Sequence, residues 1–133
     1  MANNHSYAFH IIRVGLATTF LWIGVIIFRD PAGWGGFLAP WAQDLLSVPP
    51  ADFMLGVAVF DIVVGGLLLV GVWIWIASLL AALHLAGVLL VSGIDAVTVR
   101  DIGLLAAALA LAIETWPERY RIKKLSGTMP MAR

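Results

Sequence analysis

The sequence contains no cysteine, and few of its side chains are charged. Only 12% of its 133 residues are Asp, Glu, Lys or Arg, whereas an average soluble domain has about 25%. Without a thiol, the chain makes no disulfide, thiolate metal site or covalent sulfur intermediate of its own. Its formal net charge of zero offers no basic surface for nucleic acid. It also lacks a Gly-rich phosphate loop and a His–Glu zinc motif, so we expect neither a nucleic-acid partner nor a metal site.

The chain is rich in long apolar stretches. Apolar residues make up 62% of the sequence, and the stretch from Phe53 to Ser92 is almost unbroken over about 40 residues. One bilayer crossing needs roughly 20 apolar residues, so this stretch predicts two helices that reverse near Gly71. The composition therefore predicts an all-α integral membrane protein, with membrane lipids among its partners.

Four membrane-crossing helices are predicted, forming one transmembrane domain over residues 1–117. The apolar segments place these helices at about residues 8–28, 52–70, 72–91 and 97–116. The N-terminus lacks a basic cluster and the first segment lacks a small-residue cleavage site, so we expect that segment to be retained.

Between the first two helices, the sequence predicts a short amphipathic segment that lies on the membrane surface. An ordered loop outside the membrane is the alternative. Tryptophan favours the membrane–water boundary, and four tryptophans are predicted as interface anchors: Trp34, Trp41, Trp73 and Trp75.

Lys and Arg residues predict the orientation. Most of them lie in the predicted tail, residues 118–133, whereas the loop after the first helix has only Arg29. The positive-inside rule places this basic tail in the cytoplasm, and four crossings place the N-terminus there too.

Ionisable side chains within the predicted helices are the candidate ligand-binding residues, because a charge at that depth is costly. Asp61 and His84 lie near the middle of the two central helices, and Arg13 lies about 8 Å along the first. A group of these three is predicted inside the bundle. Structural alternatives stay open: Arg13 reaches the lipid headgroups, Asp61 is protonated and packs between helices, and His84 is a neutral hydrogen-bond donor.

Two further predictions concern less central positions. Trp22 either lines a pocket for a flat ligand or packs in the core. Arg100 and Asp101 are predicted to form an outer polar group with Arg29 or Asp30, and capping of the last helix is the alternative.

Several motifs resemble the DoxX/DoxD-like family of small membrane proteins. The first helix has an Arg-x-Gly opening (IIRVGLATTFLWIGVIIFR), the second an acidic residue before Gly-Gly-Leu (FDIVVGGLLLVG), the third a polar residue in an apolar run, and the last begins VRDIGLL. Asp61 stands where the family often has Glu, and Arg29 where it often has Lys. The resemblance implies a four-helix bundle in a bacterial or archaeal inner membrane and a partner in a membrane redox assembly.

Three functions are compatible with these features. The first is a quinone-interacting subunit of an oxidoreductase assembly, with a non-covalently bound quinone and electrons from a partner subunit. The second is an accessory subunit that packs against a larger membrane complex. Its docking face would be the small residues of the last helix: Gly103, Ala106, Ala107 and Ala110. The third is a small proton-coupled carrier that uses Asp61 and His84. Whether the chain is itself part of a catalytic site is left open.

Overall fold

All regular secondary structure in the computed structural model, which describes residues 6–117, is α-helical. The helices are α1 (Tyr7–Arg29), α2 (Pro31–Gly35), α3 (Pro40–Asp44), α4 (Pro50–Val70), α5 (Ile74–Ser92) and α6 (Val99–Glu114). The all-α class is thus confirmed, and the four longer helices agree with their predicted bounds to about two residues. The predicted tail, residues 118–133, lies outside the described residues.

Three of the helices are long and apolar enough to cross a membrane. They are α1, α4 and α5, whose mean hydropathies are 2.1, 2.5 and 2.3. These helices fit a multi-pass membrane protein. Helix α6 has 16 residues and is shorter than a typical crossing, so the fourth crossing stays a prediction.

Two glycines bring α1 and α4 into close contact. A Cβ atom on Gly24 would lie 2.9 Å from the Ala58 carbonyl oxygen, and one on Gly65 would lie 3.0 Å from the Ala17 carbonyl oxygen. The residue numbers of the two helices run in opposite directions along this contact, so α1 and α4 are antiparallel. Small residues at such positions allow the backbones of two helices to pack closely.

A tight turn joins α4 to α5 at the predicted reversal. Gly71 ends α4 in the left-handed conformation, with φ of 82°, and its N–H donates to the Leu67 carbonyl oxygen at 2.9 Å. Trp73 also has a positive φ, of 48°. Helix α6 then runs back along α5, and the rings of Trp75 and Trp116 lie 5.7 Å apart in an edge-on contact.

The connection between α1 and α4 differs from the predicted amphipathic segment. It forms two separate five-residue helices, each of which begins with a proline. The segment packs onto the bundle rather than extending from it, because the Ala39 N–H donates to the Val91 carbonyl oxygen of α5 at 2.9 Å and Leu38 is buried. Trp34 is half-buried against neighbouring apolar side chains, whereas Trp41 is half exposed. Whether the tryptophans contact a membrane surface stays a prediction.

Buried apolar residues form two clusters. The larger joins α1, α4, α5 and α6 and includes Leu16, Leu68 and Leu111. The smaller lies at the end of the bundle covered by α2 and α3, here called the α2–α3 end, and includes Ile27 and Met54. Residues of both clusters line a cavity inside the bundle.

Candidate functional site

The cavity has a volume of about 680 Å³ and lies toward the α2–α3 end. Its walls come from all four longer helices and from the connection that carries α2 and α3. Most of the lining side chains are apolar, and Asp61, His84, Arg100 and Asp101 are the ionisable groups among them. Binding sites for small molecules are commonly apolar cavities of about 300–1,000 Å³ with a few polar groups, so this cavity has the size and character of such a site.

Asp61 and His84 meet in this cavity, as the sequence predicts. The His84 Nε2 atom lies 3.2 Å from the Asp61 Oδ1 atom. Asp61 is only 2% exposed because it lies on the buried face of α4, one turn from Ala58. The His84 side chain is 20% exposed and lies between two aromatic rings, 5.0 Å from Phe60 and 6.2 Å from Phe20.

The Asp61–His84 contact leaves the carboxyl group without a well-formed hydrogen bond. The 3.2 Å separation is within ion-pair range, yet Asp61 Oδ1 is buried and has no partner of acceptable hydrogen-bond geometry among the described residues. A short distance without a hydrogen bond is possible because a hydrogen bond also depends on angle, and a contact of poor angle is weak. A buried polar atom without a partner costs about 1–3 kcal/mol. Asp61 therefore offers an unmet polar contact to a molecule in the cavity.

Residues of both predicted polar groups line one cavity, namely Asp61 and His84 of the first group and Arg100 and Asp101 of the second. Asp101 lines the same walls as Asp61. Arg100 is exposed at the cavity wall, and its Nε atom donates to the Val97 carbonyl oxygen at 3.1 Å.

The predicted partners of Arg100 and Asp101 lie elsewhere. Asp30 instead caps α2, since its Oδ1 atom accepts the Gly33 N–H at 3.0 Å. Arg29 is exposed in the last turn of α1. Within residues 6–117, no ion pair joins either residue to Arg100 or Asp101.

The turn before α6 positions Asp101, a role that the sequence did not reveal. The N–H groups of Val97 and Thr98 donate to Asp95 Oδ1 at 2.7 and 2.8 Å. These backbone hydrogen bonds, with the one from Thr98 foremost, lower the pKa of the Asp95 carboxyl group. The Thr98 hydroxyl donates to the Gly93 carbonyl oxygen at 2.6 Å, and Thr98 itself lines the cavity. The available sequence signal was an Asp in the predicted turn, because Asp side chains accept hydrogen bonds from backbone N–H groups two or three residues later.

Arg13 does not join Asp61 and His84, and the predicted group of three is wrong in this respect. The Arg13 Nη1 atom donates to the carbonyl oxygens of Leu68 and Leu69, the second at 2.8 Å. The guanidinium group therefore caps the end of α4, about 10 Å along that helix from Asp61. Cations are favoured at this position because the last carbonyl groups of a helix have no partner within it.

Trp22 neither packs in the core nor lines the cavity. Its side chain is 70% exposed on the outer face of α1, and it is absent from the cavity walls. The buried face of α1 includes Phe20 and Gly24. Each residue advances about 100° around a helix, so Trp22, two residues from each of them, points about 160° away from both.

Comparisons with known protein families, curated proteins and solved structures find no match to this chain. The resemblance to the DoxX/DoxD-like family therefore stays a prediction. In the described part of the chain, no three His, Cys, Asp or Glu side chains are grouped as a metal site.

Proposed function

We propose that this chain binds a quinone in the cavity and works as a membrane subunit of a redox assembly. The observation that carries the proposal is the Asp61 carboxyl group, which is buried beside His84, faces an apolar cavity and has an oxygen without a hydrogen-bond partner among residues 6–117. A quinone is a flat, apolar ring whose carbonyl oxygens accept hydrogen bonds and take up protons on reduction. The cavity provides apolar walls for such a ring and polar side chains for its carbonyl oxygens.

The residues at the cavity floor have separate roles in this proposal. His84 donates a hydrogen bond from its imidazole, and Phe20 and Phe60 hold that imidazole in place. Asp61 holds a proton next to the bound ring and exchanges it with His84, at the 3.2 Å separation of the two side chains. Arg100 and Asp101 supply charges at the cavity wall.

The electrons come from a partner subunit in this proposal. The chain has no cysteine and no recognisable flavin motif, so we assign to it the binding of the ring and the movement of protons. The proposal includes α6 as a fourth crossing, both termini in the cytoplasm and a bacterial or archaeal inner membrane.

Substitutions that preserve shape test the proposed site. Asp61→Leu and His84→Phe each keep a side chain of similar size but remove its polar atoms. We expect each to weaken binding of a short-chain benzoquinone to the purified protein about tenfold, as expected for loss of one hydrogen bond to an ionisable group. Equilibrium binding in lipid nanodiscs, followed by quenching of tryptophan fluorescence, measures the effect.

The same replacements at sites away from the cavity are the controls. The control variants are Asp52→Leu, at the exposed start of α4, and His10→Phe, on α1. Neither Asp52 nor His10 lines the cavity. Both control variants are expected to bind the quinone as the unmodified chain does. If Asp61→Leu and His84→Phe also bind normally while remaining folded, the proposed site is wrong.

A second candidate function is that of an accessory subunit that docks through α6. The observation in its favour is that Gly103, Ala106 and Ala110 are exposed on this helix, and a face of small residues allows close packing of another helix. Ala106→Leu with Ala110→Leu would then release the chain from its complex in native gels of mild-detergent extracts. An unchanged complex would exclude this face as the docking surface. No observation favours the proton-coupled carrier, which stays a prediction.

A further inference from the structure

We infer that the bound quinone carries a long apolar chain, and that this chain leaves the cavity sideways, between α1 and α6, into the lipid. This inference rests on the proposed quinone site and specifies the class of ligand that it takes. It would mean that the ligand comes from the membrane rather than from water.

Helices α1 and α6 contact each other over only part of their length. In the larger apolar cluster, Leu16 and Ala17 of α1 are joined with Ala108 and Leu111 of α6. Nearer the α2–α3 end, residues of the same two helices line the cavity instead. They are Thr19, Phe20, Ile23 and Ile27 on α1 and Arg100, Asp101, Gly103 and Leu104 on α6. The two helices are therefore separated beside the cavity.

Gly103 marks where this separation reaches the surface. It is both exposed and a cavity-lining residue, and a Cβ atom built on it would meet no atom of the described residues within 4 Å. Across the gap, Thr19 is half-buried, and its hydroxyl donates to the Gly15 carbonyl oxygen at 3.0 Å. The hydroxyl group is thus satisfied within α1, so the α1 side of the gap is apolar toward a passing alkyl chain, and Arg100 and Asp101 are the charged residues on the α6 side.

The end of the bundle is covered, which favours the sideways path. The connection carrying α2 and α3 lies over this end, with Leu38 buried and the Ala39 N–H bonded to α5. Trp34 and Phe37 line the cavity from the same connection, and their rings lie 5.4 Å apart. A ring at Asp61 and His84 therefore has apolar side chains above it and, beside it, a gap whose α1 side is mostly apolar.

A bulky residue at position 103 tests the path. Gly103→Leu has room to fold, because the space beyond the glycine is open, but its side chain would project into the gap. We expect it to weaken binding of a benzoquinone with a long alkyl chain about tenfold, and to leave binding of the same ring with only a methyl group unchanged. Tryptophan quenching in nanodiscs measures both dissociation constants.

Ala106→Leu is the matched control, because Ala106 is exposed on the same helix but does not line the cavity. It should leave the binding of both quinones unchanged. The proposed path is overturned if Gly103→Leu binds the long-chain quinone normally, or if it loses both quinones equally. Failure of the unmodified protein to bind either quinone would overturn the proposed function itself, and the path with it.

Discussion

Arg13 shows how a charged side chain is accommodated within an apolar helix. The ion pair with Asp61, one interpretation of the sequence, does not describe its position, and contact with lipid headgroups stays a prediction. Its guanidinium group binds the terminal carbonyl oxygens of α4 instead. A Cβ atom on Gly71 would lie 3.3 Å from Arg13 Nη1, so the residue that reverses the chain also leaves space for the arginine.

Removing this cap should destabilise the fold. We expect Arg13→Leu to lower the free energy of unfolding by about 1–3 kcal/mol, because the carbonyl oxygens of Leu68 and Leu69 lose their shared donor. Arg29→Leu, the same change at an exposed position of α1, should have a much smaller effect. Unfolding titrations in detergent measure the difference. Equal stability of the two variants would show that the Arg13 contacts contribute nothing.

At the residue scale, the sequence showed which ionisable side chains lie within apolar helices, but it predicted only some of their contacts. The Asp61–His84 contact was predictable because both residues lie near the middle of adjacent, antiparallel helices. The contacts of Arg13 were not predictable, because its long side chain reaches backbone carbonyl groups, which every residue has and which no sequence pattern distinguishes. Asp101 was placed in a separate group because the position of α6 beside the cavity depends on tertiary packing.

At the scale of the helices, neighbouring glycines in α4 have different environments. A Cβ atom on Gly65 would lie 2.9 Å from the backbone nitrogen of Leu21, whereas one on Gly66 would meet nothing within 4 Å. Both glycines belong to the Gly-Gly-Leu motif of the sequence. Only the three-dimensional contact with α1 distinguishes them.

Alanine substitutions at these two positions should therefore have opposite effects. Gly65→Ala is expected to lower the free energy of unfolding by about 1–3 kcal/mol, because the α1 backbone has to move away. Gly66→Ala should leave stability unchanged or raise it by up to about 1 kcal/mol, because alanine favours a helix more than glycine does. Unfolding titrations of the two variants give the comparison. An equally large loss of stability in Gly66→Ala would contradict the contact between Gly65 and α1.

Helices were easier to predict than their connection. The bounds of α1, α4 and α5 follow from apolar segments and from the residues that end them, such as Pro31 and Gly71. The connection between α1 and α4 was predicted as one segment because its apolar residues recur with helical spacing. It divides in two because Pro40 starts a new helix and the Ala39 N–H bonds to α5 instead, a contact between residues far apart in sequence.

At the scale of the whole molecule, the predicted topology is open to direct measurement. The chain has no cysteine, so a single introduced cysteine gives an unambiguous labelling site. We expect a membrane-impermeant maleimide to label Leu45→Cys and Ala96→Cys in intact cells, because four crossings place both positions outside. Tyr7→Cys and Ser126→Cys should be labelled only after the cells are permeabilised.

The unmodified chain, which should remain unlabelled, is the control for this experiment. Labelling of Ser126→Cys in intact cells, together with protection of Tyr7→Cys, would mean three crossings and leave α6 on the outer side. That result would contradict the predicted topology while leaving the contacts within residues 6–117 as they are.

The Arg13 cap also has a consequence for the order of biosynthesis. A ribosome adds Arg13 long before Leu68, which lies 55 positions later. During that interval α1 carries a guanidinium group whose acceptors do not yet exist, and a lone arginine is disfavoured in hydrocarbon. The first helix should therefore stay near the headgroups until α4 is synthesised, and the two helices should then insert together as a hairpin. Chains stalled between these helices would leave α1 at a shallower depth than finished ones.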